Sequence, residues 1–476
     1  MYIFIICYLL FMPSSHLMAQ DLEEIEENFS NKKINLNLNN KARVLSLRDA
    51  IEEGLRKNSL QMIRKYRFEL NEISYQDSKD DFYFPNINLT MKTNPDHHVD
   101  NFYRDTDLNA ESPQTPHGSI GLEIEDYTLF NWGKDYLEFL NAQETYERTK
   151  ESLVEQRREL RFQIIAEYFN LARQREIVQV YKKRLNHTSF IYRLAKEKLT
   201  LGKVKSQEFL QAKSLFLASH KNYHESLFQY YKIQESLAKI LGYELETMFK
   251  PINQLKYKPL SLDIQDTSRF VAKNSPLIKE AQAEMKNSSR SYQKARKENL
   301  PLPKFSVKLG TYQRSFSSSG YEDTYRTFNQ SKNIEVAASL NMSWRIYGSG
   351  GFFNSRKTET SFYNKRISEI KLREARRESE VANRMTHSRI HYLERKFRAT
   401  SEELKNAQRA FDKTIDNYIA SKTTFPDVNY VLDELIQSKI DLENTKYEHL
   451  LEKLTLATLM GVDDFAGEQF DRLVVE

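Results

Sequence analysis

The segment LFNWGKDYLEFLNAQ, residues 129–143, ends one kind of secondary structure and begins another. Before it, apolar and polar residues alternate; after it, residues 135–200 contain neither Gly nor Pro. Within that stretch, apolar residues recur at the spacing of one helix face: Phe162, Ile165, Phe169 and Ala172. At about 1.5 Å per residue, about 65 residues predict one helix close to 100 Å long.

The same order of features returns in the second half of the chain. Five pairs of landmarks keep a separation of 216 to 219 residues: Lys57-Asn58-Ser59 with Lys273-Asn274-Ser275, Pro85 with Pro303, Leu129–Gly133 with Ile346–Gly350, Gly202 with Ser421, and Gly242 with Gly461. This constant register predicts a tandem duplication. Each half follows the order helix, strand, strand, very long helix, break, long helix, so the fold class is α+β and mainly α.

Composition agrees with long helices that are exposed to water. Gly (13) and Pro (11) are scarce among 476 residues, charged residues make up 29%, and the mean hydropathy is −0.68. These values exclude collagen, a flexible linker protein and a turn-rich all-β protein. A net charge of +5 gives no reason to expect nucleic-acid binding. Since phosphate-loop, dinucleotide-binding and hydrolase motifs are absent from the sequence, we expect neither an enzyme nor a cofactor.

The first nineteen residues differ from the rest of the chain. An apolar run from Tyr2 to Met12 is followed by Pro13 and by a small residue at Ala19, the order of a secretory signal peptide. An uncleaved anchor is the alternative, although the run is shorter than the roughly 17 residues that span a bilayer. Cys7, the single cysteine, lies within this run, so we expect an exported chain without disulfides.

Four short segments alternate apolar with polar residues. They contain Ile87-Leu89-Met91, Ile120-Leu122-Ile124, Phe305-Val307-Leu309 and the residues from Ile334 to Ile346. Such alternation is typical of a membrane β-barrel strand, and also of a sheet that packs on a soluble core. Because small barrels need about eight strands, a barrel built from four per chain requires several chains.

The junction LFNWGK, the helical turn LTLGKVKSQEFLQAK and their duplicated order resemble the TolC family of outer-membrane efflux and secretion channels. The resemblance extends from about Ser46 to Gly461. It implies a homotrimer in which each chain gives four strands to one twelve-stranded β-barrel that continues into a periplasmic α-helical barrel. It also implies a passive duct, joined through a periplasmic adaptor to an inner-membrane RND, MFS or ABC pump.

These expectations divide the chain as follows. A signal peptide is predicted at 1–19, a polar segment at 20–45, a linker at 251–262 and a tail at 462–476. The first repeat occupies 46–250, with strands near 86–94 and 119–130 and a helical hairpin near 134–242. The second repeat occupies 263–461, with strands near 304–313 and 334–347 and a helical hairpin near 352–461.

In the family, the turns of the hairpins form the periplasmic end of the channel, where the adaptor docks. The resemblance places these turns at Leu201, Gly202, Lys203 and Val204 and at Ser421, Lys422 and Thr423. Ser421 stands where the family usually has Gly, so the geometry of the second turn is open. For the lysines, plain solvation of an exposed turn is the alternative.

Family channels often surround their constriction with carboxylates. Glu208 and Asp427 lie six residues after Gly202 and Ser421, and Asp427 matches the family's constriction position best. Asp433 is a further candidate, almost two turns along the helix. The alternative for each is an acid on a solvated helix face.

Two alternative hypotheses concern a metal site and the class of protein. His387, His391 and Glu394 share a helix face and are candidate ligands of a metal ion, although a solvated histidine pair is the more common arrangement. An exported periplasmic coiled-coil scaffold with a small soluble sheet is the alternative to a channel.

Overall fold

A computed structural model describes residues 42–92, 118–244, 246–316, 335–348, 355–464 and 469–470. The predicted signal peptide, with Cys7, lies outside the described residues. The helices of the described part are α1 Leu47–Lys57, α2 Ser59–Tyr83, α3 Lys134–Thr200, α4 Ser206–Leu241, α5 Ile264–Asn274, α6 Pro276–Glu298, α7 Arg356–Ile419 and α8 Phe425–Met460. The strands are β1 Arg43–Leu45, β2 Ile87–Lys92, β3 Gly118–Phe130, β4 Phe249–Pro251, β5 Lys304–Phe316 and β6 Glu335–Ser343.

The chain forms two compact units. Among the described residues, the first unit contains 42–54 and 167–255, and the second contains 55–166 and 256–470. Helix α3 contributes residues to both, because the division falls at residue 166 within its length.

The junction that ends at Gly133 turns a strand into a helix through two consecutive residues with positive φ. Trp132 has φ 53° and Gly133 has φ 73°. The Trp132 indole N–H donates to the Pro303 carbonyl at 3.0 Å, and the Lys297 ammonium donates to the Trp132 carbonyl at 2.7 Å. The two bonds thus connect the junction to the end of α6 and to the residue that precedes β5, both in the second repeat.

In the first unit, a two-stranded parallel sheet pairs β1 with β4. The buried Tyr168 hydroxyl donates to the Leu45 carbonyl at 3.0 Å. Along β4, the buried Gln234 amide donates to the Phe249 carbonyl at 2.7 Å and accepts from the Phe249 N–H at 2.8 Å, so a side chain takes the place of a further strand.

The two strands of this sheet were not predicted, and they add to the four alternating strands that the sequence predicts. β1 lies in the segment predicted as polar and β4 at the boundary predicted for the linker. Each has three residues. Three residues are too few to show the alternation that identifies a strand in a sequence.

In the second unit, an antiparallel sheet has the order β2-β3-β5-β6. The central pairing joins the two repeats, with Ile124 opposite Leu309 and Leu122 opposite Thr311. The four predicted alternating segments therefore form one sheet.

Strand β6 ends earlier than the predicted residue 347. Its last pair joins Ser343 to Lys304, the first residue of β5. Pro303 precedes Lys304 and has no N–H to donate, so the ladder stops there and residues 344–348 leave the sheet.

The predicted helix faces are buried except at one residue. Phe162 and Ile165 lie in the core of the second unit, as Phe169 and Ala172 do in that of the first. On α8, the sequence predicts one helix face from Leu432, Leu435, Ser438, Leu442 and Thr445, at steps of three and four residues. All of them except the half-buried Leu442 are buried in the second unit, where α7 is the main neighbour. The Ser438 hydroxyl donates to the Glu434 carbonyl of its own helix at 2.8 Å, so a polar side chain fits into close helix packing without an unpaired donor.

Among the described residues, the helices lack any stretch long and apolar enough to cross a membrane.

Candidate functional site

The first hairpin, α3 with α4, reverses direction at Gly202. This residue has φ 69°, its N–H donates to the Leu199 carbonyl at 3.0 Å, and the Lys203 N–H donates to the Lys198 carbonyl at 2.8 Å. The two bonds and the left-handed residue define a Schellman motif, which satisfies carbonyls at the end of a helix. We call residues 200–205 the first tip.

The second hairpin, α7 with α8, ends in the same geometry. Ser421 has φ 57°, its N–H donates to the Tyr418 carbonyl at 3.0 Å, and the Lys422 N–H donates to the Asn417 carbonyl at 2.8 Å. The open question about Ser421 is therefore answered: the absence of Gly does not change the turn. We call residues 420–424 the second tip.

The helices that leave the two tips begin differently. Helix α4 begins after Lys205, whose side chain makes no capping bond. Helix α8 begins with a capping box, in which the Thr424 side chain pairs with the Asp427 backbone and the Asp427 carboxylate accepts from the Thr424 N–H at 3.0 Å. The same carboxylate also accepts from the Thr424 hydroxyl at 2.6 Å. Pro426 follows in the first turn, where a missing N–H costs nothing.

Asp427 is exposed, and its carboxylate accepts two bonds from Thr424. The hydroxyl and the N–H of Thr424 hold the pKa of Asp427 below its usual value. The predicted constriction acid is therefore ionised at neutral pH and is fixed at the first turn of α8.

The other two predicted acids are half-buried. Glu208 lies in the first turn of α4, in the first unit, near the buried Lys198. Burial lowers the pKa of Lys198, while the charge of Glu208 acts in the opposite direction. Asp433 lies on α8 in the second unit, next to the buried Leu432. Asp427 and Asp433 thus share a hairpin that does not contain Glu208.

The tip residues present a mixed surface to solvent. Leu201 is 67% exposed, Lys203, Ser421 and Lys422 are exposed, and Val204 is half-buried. The half-buried Thr423 hydroxyl donates to the Thr414 carbonyl at 3.5 Å. Tyr430, two residues after the buried Val428, is 70% exposed. Tyr430 was not among the residues predicted from the sequence, although it lies outside the buried face of α8 and is therefore an aromatic residue exposed to solvent.

The second unit's sheet has two unlike faces. The apolar face is open, with Leu89 75% and Leu340 67% exposed. On the other face, the Lys308 ammonium lies 2.8 Å from the Glu123 carboxylate, which is almost fully buried. The Asn341 amide donates to the Asp126 carboxylate at 3.3 Å on the same sheet. The alternation predicted the apolar face, but the ion pair required knowledge of the strand register.

The candidate metal ligands on α7 are engaged in other bonds. His387 Nε2 lies 3.1 Å from the Leu262 carbonyl, and His391 Nδ1 lies 3.2 Å from the Glu394 carboxylate. Within the part of the chain that the structure describes, His, Cys, Asp and Glu side chains form no group of three or more placed to hold a metal ion.

Comparison with known proteins adds a family and a fold. Residues 61–243 match the sequence profile of the family described as outer membrane efflux protein. A search of curated proteins gives no match.

Several solved structures share the fold over most of the chain. The outer membrane protein VceC from Vibrio cholerae has a TM-score of 0.73 at 13% identity, with 87% of this chain and 96% of that chain covered. The CmeC outer membrane channel of Campylobacter jejuni has a TM-score of 0.73 at 15% identity, covering 87% and 85%. A membrane protein from Pseudomonas aeruginosa has a TM-score of 0.74 at 14% identity, covering 92% and 94%. The predicted mainly α-helical fold with a four-stranded sheet is confirmed. The predicted family resemblance is confirmed for residues 61–243.

Proposed function

We propose that this chain, whose residues 61–243 belong to the outer membrane efflux protein family, is the outer-membrane exit duct of an efflux or type I secretion system. The duct is passive. An inner-membrane RND, MFS or ABC pump supplies the energy, and a periplasmic adaptor joins the pump to the duct.

The observation that carries this proposal is the sheet β2-β3-β5-β6. A soluble sheet covers its apolar face with a core, whereas here the apolar face is open and the polar face carries the charged pair of Glu123 and Lys308. An apolar face toward lipid and a polar face toward a water-filled lumen is the arrangement of a membrane β-barrel strand. A periplasmic scaffold would leave this face unexplained.

The edges of the same sheet support a shared barrel. Within the described residues, β2 pairs with β3 alone and β6 pairs with β5 alone. In a lipid environment each unpaired backbone group costs several kcal/mol. Joining β6 of one chain to β2 of the next closes both edges, and three chains then supply twelve strands, which matches a homotrimer.

Helices of the second unit carry apolar side chains that the chain itself leaves uncovered. None of the residues of α2 is buried, and Ile63, Tyr66, Leu70 and Ile73 are exposed at helix-face spacing. On α7, Ile367, Ile370, Val381 and Met385 are exposed. Exposed apolar stripes on two helices suit a ring in which the α2 face of one copy packs on the α7 face of the next.

We further propose that the two tips form the periplasmic end and bind the adaptor. The side chains available for this are Leu201, Gly202, Lys203 and Val204 at the first tip and Ser421, Lys422 and Thr423 at the second. Their common Schellman geometry supports equivalent docking at both tips, because it presents the backbone in the same conformation.

Cellular fractionation tests the location. We expect the protein in the outer membrane, as trimers that dissociate on heating. A monomer that salt extracts from a membrane pellet would contradict both the duct and the barrel.

Single-channel recording tests the constriction. Asp427 is the first candidate, followed by Glu208 and Asp433, because carboxylates at one depth of a trimer focus a negative field that favours cations. We expect Asp427→Ala to raise conductance and to weaken cation selectivity. Glu434→Ala, at an exposed acid of the same helix, is the matched control and should leave both unchanged. Equal behaviour of the two variants would remove Asp427 from the constriction.

A further inference from the structure

Polar side chains of α7 and α8 hold the segment that connects the two repeats. Residues 257–262 run along these helices, and three of their backbone groups bond to charged or imidazole side chains. The Leu260 N–H donates to Glu394 Oε1 at 2.7 Å, the Lys453 ammonium donates to the Lys258 carbonyl at 2.6 Å, and His387 Nε2 bonds to the Leu262 carbonyl at 3.1 Å. We call this arrangement the clasp.

His449 of α8 lies inside the clasp. Its side chain is 4% exposed, and its Nε2 is 3.7 Å from Glu394 Oε1. Its ring centroid is 5.1 Å from that of Tyr257, which stacks on Phe397 at 3.7 Å. The imidazole therefore packs between the segment and the two helices.

The charged and titratable groups around His449 come from every element of the clasp. Helix α8 contributes the buried Lys453, and the segment contributes Tyr257. Helix α7 contributes Glu394, together with His391, which bonds to the same carboxylate, and Arg398, which acts on Tyr257. Burial and the Lys453 ammonium lower the pKa of His449 to about 4, against the opposite effect of Glu394. His449 is thus neutral at pH 7 beside a buried cation.

We propose that the clasp is acid-sensitive: protonation of His449 places a second positive charge beside Lys453 and loosens residues 257–262 from α7 and α8. This property belongs to the chain's own conformation and does not depend on the proposed duct.

The direction of the effect follows from linkage. When the clasp opens, His449 meets water and returns to its ordinary pKa of 6.5, so the open form binds more protons than the closed form. The stability of the clasp is complete above about pH 6.5 and falls as the pH drops towards 4. Between pH 7 and pH 5 the opening equilibrium should rise roughly 20-fold.

Hydrogen exchange of the full-length protein at pH 7 and pH 5 tests this proposal. The readout is the protection factor of the Leu260 amide. Because a protection factor compares the observed exchange rate with the intrinsic rate at the same pH, it corrects for the intrinsic effect of pH on exchange. We expect it to fall roughly 20-fold in the wild type and to stay constant in His449→Phe, which keeps a ring against Tyr257 but cannot titrate. His391→Asn, which removes the other histidine next to Glu394, should keep the fall.

A second variant covers the case in which His449→Phe does not fold. Lys453→Met removes the neighbouring cation, so the pKa of His449 rises and the ratio between the two pH values shrinks. Constant protection in the wild type, an undiminished fall in His449→Phe or Lys453→Met, or loss of the fall in His391→Asn would each overturn the proposal.

Discussion

The two tips reach one backbone geometry from different residues. The first tip places Gly202 at the left-handed position and begins its second helix without a side-chain cap. The second tip places Ser421 there, and the capping box of Thr424 and Asp427 follows at the start of its second helix. A left-handed conformation costs a residue with a Cβ atom about 1 kcal/mol, and an N-terminal cap contributes about the same amount. The cap of the second tip therefore offsets the strain at Ser421.

This difference shows what fixes the turn. Both tips make the same pair of backbone bonds to the end of the preceding helix. These bonds, and the need of two packed helices to reverse direction, hold a non-glycine residue in the left-handed region. The residue type at the turn then changes its stability and leaves its shape unaltered.

The largest effect is expected for Gly202→Val. A Cβ atom at Gly202 would meet no atom within 4 Å, so the whole cost arises from the left-handed backbone. For a β-branched residue we expect the first tip to lose about 2 kcal/mol of local stability. Hydrogen exchange of the Lys203 amide measures this loss.

Lys203→Val is the control for that change. Lys203 is the next residue and is absent from the positive-φ positions, so Val should fit there with little cost. If the two variants weakened the tip equally, the side chain rather than the backbone would be responsible, and the comparison of the tips would fail.

A smaller effect is expected for Thr424→Ala at the second tip. The change removes the hydroxyl that bonds to Asp427, and loss of an N-cap typically costs about 1 kcal/mol. Exchange of the amides in the first turn of α8 provides the measurement. Thr423→Ala serves as the control, since the Thr423 hydroxyl makes only a 3.5 Å bond to the Thr414 carbonyl. A greater loss in Thr423→Ala would show that the capping box does not stabilise this tip.

Much of the fold could be predicted from the sequence because its signals are long and repeated. The breaker-free helices, the alternating strands and the LFNWGK junction each recur at a constant separation, so one copy supports the other. The β1–β4 pair was missed since three residues carry no periodicity. The early end of β6 depends on Pro303, which directly precedes the partner strand β5, and the pattern of β6 alone does not contain this information.

The candidate sites, like the fold, could be predicted only in part from the sequence. The positions of the tips follow from the helix breaks, but the bond between Thr424 and Asp427 gives a supposed pore acid a second, structural role that its spacing from Ser421 does not suggest. The clasp was not predicted at all. It joins Leu260 to Glu394 and Lys258 to Lys453, residues so far apart in the chain that only the folded structure brings them together.

The smallest effect that we expect is a difference in how strongly acid destabilises the two tips. The bonds from Thr424 hold the pKa of Asp427 below its ordinary value of 3.8, so its contribution is complete above that value and is lost as the pH falls through the lowered pKa. We therefore expect the protection factors in the first turn of α8 to decline below about pH 4, and those in the first turn of α4, which lacks a capping side chain, to decline less. In Thr424→Ala the pKa of Asp427 loses the hydroxyl that lowers it, and the decline at the second tip should become smaller. An equal decline at both tips in the wild type would mean that acid acts on the hairpins as a whole, and the capping box would then not distinguish them.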